Sequence, residues 1–205
     1  MKSIYPILSA VLCLFFASAC SVSLSQKEKP ATTWRLVPDV TITDKTENTK
    51  DIALIIAKPW VSSGFDSSHV IVSTPEGELD MLSNVKWADV HSEWLRNYFL
   101  EGLQSSGLFS SVTANYKLRS QHWVVQLHLW DLSVHYNDYT KRGSPLVKAK
   151  LTYTISDGLG NKLIDQTTIQ VSEPVSENRL VPIMSAFESV VSQCYQRVYS
   201  KLQQL

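Results

Sequence analysis

The chain has 205 residues, 19 basic and 19 acidic, so its formal charge is zero at pH 7. That length suits one ordinary domain with some chain to spare. With 44% apolar and 19% charged residues the body is not disordered, and the balanced charge argues against a nucleic-acid binder, which carries a basic excess on one face.

Residues 1–19 read as a secretory signal peptide: Lys2, an apolar stretch, then Ala17, Ser18 and Ala19. A membrane span needs ~20 apolar residues and does not end in a small-residue cleavage site. Cys20 follows at once, in the position of the acylated cysteine of a bacterial lipoprotein. The other reading is an ordinary signal peptide with Cys20 as a bystander. Cys13 leaves with the signal and Cys20 takes the lipid, so Cys194 is the one thiol of the body and no internal disulfide is expected. In a Gram-negative lipoprotein an aspartate after the cysteine signals inner-membrane retention; Ser21 stands there instead, which for such a source favours the periplasmic face of the outer membrane. Residues 20–33 are a polar, aperiodic tether, and residues 34–205 are read as one domain.

Within the domain, Trp34 and Leu36 mark a short edge strand stopped by Pro38. Residues 52–57 are a continuous apolar run, expected as a central strand buried on both faces. Val70-Ile71-Val72 and Leu79 to Leu82 flank Pro75-Glu76-Gly77-Glu78, a hairpin signal. Trp87, Val90, Trp94, Leu95, Tyr98, Phe99 and Leu103 recur at helical spacing. They predict a helix over residues 87–106, capped by Ser83 or Asn84 and ended by Gly107. Its aromatic face is read as core packing.

Val112, Ala114 and Tyr116 alternate as a strand. Residues 122–136 are a long strand whose apolar parity switches near Trp130 and Asp131, the mark of a β-bulge. Residues 146–156 alternate Val147, Ala149, Leu151, Tyr153 and Ile155 with a wet face of Lys148, Lys150, Thr152 and Thr154. A turn at 157–161 leads into a strand over 163–172. Ile183, Phe187, Val190, Val191, Cys194, Val198 and Leu202 form the stripe of a second helix over 182–202, with Pro182 in its first turn. The order predicts an α+β two-layer sandwich: a mostly antiparallel sheet with two amphipathic helices on one face.

Catalytic motifs are missing from the sequence. No phosphate-cradling glycine spacing, nucleophile elbow or S-x-x-K is found, and the five histidines do not pair at metal-ligand spacing. The expectation is a non-enzyme with no cofactor and no metal.

The order Trp34-Arg35-Leu36, an apolar strand ending at Pro59, the Val70-Ile71-Val72 hairpin, Trp87-Ala88-Asp89, and Ser106-Gly107-Leu108-Phe109, closing with Ala186-Phe187, resembles the ABC-type transport auxiliary lipoprotein family. The likeness runs over nearly the whole mature chain, although loop 60–69 is longer than that family's. It implies a non-catalytic component of an MCE-type intermembrane lipid transport system. The partners implied are an MCE-domain protein crossing the periplasm and an integral inner-membrane component. Self-association is left open. The alternative is an accessory or assembly lipoprotein of another envelope complex, such as a secretion channel. Trp60 and Phe65, large apolar groups in the Ser/Gly-rich loop, are the candidate partner-binding residues.

Overall fold

A fourteen-residue strand carries the architecture. The computed structural model describes residues 30–38, 49–115, 121–138, 140, 143–158 and 162–205. The signal peptide, Cys20, the tether before residue 30, most of loop 41–50, Tyr116 and positions 159–161 of the last turn lie outside the described residues. Those described hold nine strands in one sheet and two helices, an α+β fold.

Strand β7 (His122–His135) is the spine of the sheet. One edge pairs antiparallel with β8 (Leu146–Asp157), which pairs antiparallel with β9 (Leu163–Pro174). The other edge takes three strands end to end, all parallel to it. These are β2 (Lys50–Ile56) at His122 to Val125, β3 (Trp60–Val61) at His128 and Leu129, and β4 (His69–Ser73) at Val134 and His135. Outside β2 lies β6 (Phe109–Thr113). Outside β4 lie β5 (Leu79–Trp87) and β1 (Thr32–Trp34).

The sheet is therefore mixed: β1, β2, β3, β4 and β6 make parallel pairings on one side of β7, where the β4–β5 hairpin is antiparallel, and the long β7–β8–β9 meander on the other side is antiparallel throughout. Sequence alternation reveals a strand's faces but not its neighbours' direction. Only the two hairpins, 70–82 and 146–172, with their tight connections, carried that information, and both pair antiparallel. The apolar run 52–57 does sit between two strands, and Ala53, Leu54, Ile55 and Ile56 are buried. It is an interior strand, but the centre of the sheet is β7.

The bulge falls where parity required it. Leu129 opposes Leu151 and Asp131 opposes Lys150, leaving Trp130 as the extra residue. This lets Val125, Leu127 and Leu129 share the core with Leu132, Val134 and Tyr136. Gly77, with φ of 85°, turns the β4–β5 hairpin.

Helix α1 (His91–Ser106) and helix α2 (Leu180–Gln204) bury their apolar stripes in the same core as the inward residues of β7, β8 and β9. Gly107, at φ 68°, ends α1 in the left-handed conformation. The helices meet each other at aromatic rings: Phe99 and Tyr195 have centroids 5.4 Å apart. Gly102 makes this approach feasible, since a Cβ there would lie 2.8 Å from the Tyr195 ring.

Two helix expectations need correction. Helix α1 begins at His91, not at residue 87, and neither Ser83 nor Asn84 caps it. Trp87 ends β5 because Val85, Lys86 and Trp87 pair with Thr32, Thr33 and Trp34 of β1, while the backbone amides of Trp87 and Ala88 donate to the Ser68 and Trp34 carbonyls. The i, i+2 burial of Val85 and Trp87 is strand parity that runs straight into helical spacing. Strand β6 stops at Thr113, so Ala114 is not part of it as predicted.

Candidate functional site

Trp60 lies on a two-residue strand that would not hold itself. It is fixed by the backbone of β7: Trp60 pairs with His128 and Val61 with Leu129. Amides on either side, Ala57 and Ser62, donate to the Val125 and Leu129 carbonyls at 3.0 and 2.9 Å. The Gln126 side-chain amide donates to the Lys58 carbonyl at 2.9 Å. On this clamped backbone the Trp60 indole is 68% exposed.

Trp60 heads a row of aromatic rings on the sheet face opposite the β7 core residues. Its ring meets His128 edge-on, with centroids 6.2 Å apart. His128 stacks on Trp130 at 3.8 Å, and the Lys150 ammonium lies 5.9 Å from the Trp130 ring. The Trp130 indole N–H donates to Thr152 Oγ1 at 2.8 Å, and the Thr152 and Thr168 hydroxyls are joined at 2.8 Å. Ring pairs of this kind are worth ~0.5–1.5 kcal/mol beyond buried area, and an exposed cation over a ring adds ~0.5–1 kcal/mol. The row is thus a pre-ordered apolar surface in a polar surround, with Trp130 43% exposed at its other end.

Phe65 has a different setting. It is half-buried in a turn where its amide donates to the Ser62 carbonyl at 3.0 Å. The next residues are tied to the start of α1. The Asp66 carboxylate accepts the Ser92 amide at 3.0 Å and the Ser92 hydroxyl at 3.1 Å, capping the helix from far away in sequence. His91 Nδ1 donates to the Ser67 carbonyl at 2.6 Å. The structure therefore associates Trp60 with His128 and Trp130, and Phe65 with the clamp on α1. Cys20 lies outside the described residues.

His91 is completely buried between the Trp87 and Trp94 rings, with centroids 6.2 and 5.7 Å away. Its Nε2 has no hydrogen-bond partner. Burial holds its pKa at about 4, against the smaller opposing pull of the Ser67 carbonyl and Asp66. Burial likewise pushes the Cys194 thiol up to about 12, so it remains a packed, unreactive thiol. On the open face, burial raises Asp131, although Ser133 donates to its carboxylate at 2.8 Å and Lys148 lies nearby. Among the described residues no group of three or more His, Cys, Asp or Glu side chains could hold a metal ion. No helix among them is long and apolar enough to cross a membrane.

The sequence reading chose Trp60 but passed over His128 and Trp130. The signal was present: residues 126, 128 and 130 share the parity opposite to Val125, Leu127 and Leu129, and the bulge keeps Trp130 on the outside.

Fold and site together define an α+β domain that presents an aromatic surface on one face of a mixed sheet. No protein-family model matches the chain, and no curated protein matches it. Among solved structures it is similar to a Xanthomonas campestris protein of the DUF330 family, with TM-score 0.65 and 19% identity, covering 82% of this chain and 92% of that one. It is similar also to an uncharacterised protein, with TM-score 0.65 and 12% identity, covering 85% of this chain and 99% of the other. At these identities the likeness is one of fold.

Proposed function

We propose that the chain is a non-catalytic, lipid-anchored docking module at the periplasmic face of the outer membrane, auxiliary to an MCE-type intermembrane lipid transport system. Cys20 is the attachment point, the tether is its leash, and the body is a two-layer domain with both helices on one face of the sheet. The observation that carries the docking reading is the Trp60–His128–Trp130 row. Large aromatic side chains fixed on a rigid scaffold and left open to solvent are the typical anchors of protein interfaces. The resemblance in the order of its apolar motifs supports the choice of transport system. The MCE-domain protein is the partner expected at the row, with the integral inner-membrane component at the far end of the assembly.

The experiment is co-purification from membranes of the tagged chain, Trp60→Ala and Cys20→Ser. Trp60→Ala should stay in the membrane fraction and keep its thermal midpoint, yet lose most of the MCE-domain protein. Cys20→Ser should leave the membrane. An undiminished yield of the MCE-domain protein with Trp60→Ala, or its absence from the unaltered chain, contradicts the reading.

A further inference from the structure

We propose that the sheet face bearing Trp60 receives an acidic segment of the partner protein, its carboxylates over Lys148 and Lys150 and an apolar side chain against Trp60. This rests on the docking reading and adds the chemistry of what docks. The charges of β8 and β9 are sorted by face. Asp165 accepts from the Tyr153 hydroxyl at 2.8 Å and pairs with Lys201 of α2 at 3.1 Å. Glu173 accepts from Ser189 and Gln193 of α2 at 3.3 and 3.2 Å. The carboxylates of β9 are thus turned to the helices, whereas the alternation of β8 sends Lys148 and Lys150 to the opposite face.

On that face the two lysines, with Asp131, Gln170 and Ser172, line an open cavity of about 330 Å³. Two ammonium groups face one carboxylate there, and that carboxylate is already engaged by Ser133. The Lys150 ammonium lies over Trp130, so one residue of the cavity lining touches the end of the aromatic row. A segment that lays a carboxylate in the cavity and an apolar side chain on Trp60 satisfies both features at once. A protein fits better than an anionic bilayer. The Trp130 N–H is committed to Thr152, and the adjoining Thr168, Gln170 and Ser172 are exposed polar groups that a peptide can pair and hydrocarbon cannot.

The test titrates the full mature chain, followed by tryptophan fluorescence. The probes are a short Glu-rich peptide with one central Leu, its Lys-for-Glu counterpart, and phosphatidylglycerol/phosphatidylethanolamine vesicles. The Glu-rich peptide should bind, more weakly as salt rises, and Lys148→Glu/Lys150→Glu should weaken it by ~10-fold or more. Lys148→Gln/Lys150→Gln should give a smaller loss with an unchanged thermal midpoint. Equal binding of the Lys-rich peptide, an unaffected charge-reversed variant, or binding of vesicles but not of the peptide would overturn the inference. Co-purification keeps the two readings apart. If Trp60→Ala loses the MCE-domain protein and Lys148→Glu/Lys150→Glu does not, the acidic segment is wrong and the docking reading stands. If Trp60→Ala loses nothing, the docking reading itself is wrong.

Discussion

A charged imidazole at position 91 would lie against two indole rings with one nitrogen unpartnered, so folding holds His91 neutral. Its folded pKa, about 4, lies below the ordinary value of 6.5. Between those values the unfolded chain binds more protons than the folded one, so stability rises with pH across the window. At neutral pH the contribution is fully present. It is lost progressively as pH falls below about 6.5 and levels off below about 4, a change on the order of 3 kcal/mol. Urea unfolding at several pH values should show this slope in the native chain and a flatter one in His91→Gln; equal slopes would contradict the assignment. Trp94, 7% exposed and 5.7 Å from the Trp87 ring, is core. Trp94→Ala should cost ~3–5 kcal/mol, as the sequence reading of this face as packing requires. A loss under ~1 kcal/mol, within the range of a surface substitution, would return that face to the candidates for binding.

At the scale of elements, local chemistry was legible and distant chemistry was not. Gly107, Gly77 and the Trp130 bulge were readable because each is a local backbone demand. The α2 stripe was readable because every residue in it faces one core. The start of α1 was not, because its cap comes from Asp66, across a turn and a strand pair. Removing that cap should cost ~1–2 kcal/mol, as for side-chain N-caps elsewhere. Asp66→Ala tests this by denaturant unfolding, with Asp66→Asn expected to recover part of the loss. If Asp66→Ala is as stable as the native chain, the clamp on α1 is not what the hydrogen bonds indicate. The same contacts predict that loosening the clamp leaves the Trp60 backbone in place, since that is held by β7.

For the molecule as a whole, β7 explains both what could be read and what could not. A strand with three parallel neighbours end to end on one edge has no sequence signature, because the pairing partners are set by the path of the chain and not by any one segment. The candidate site shares this origin. Trp60 was visible as a bulky residue in a loop of small ones, but its companions come from a strand far along the chain and meet it only through the β3–β7 pairing. What results is a protein whose helices and β9 carboxylates face one way and whose aromatic row and β8 lysines face the other. The central claim is that this open sheet face docks the MCE-domain protein. The most direct measurement replaces Trp60, and separately the exposed Glu188 of α2, with a photo-crosslinking amino acid in cells and identifies the adducts by mass spectrometry. Position 60 should yield an adduct with the MCE-domain protein and position 188 should not. An adduct from position 188 alone, or one from position 60 with a secretion channel instead, would contradict the account.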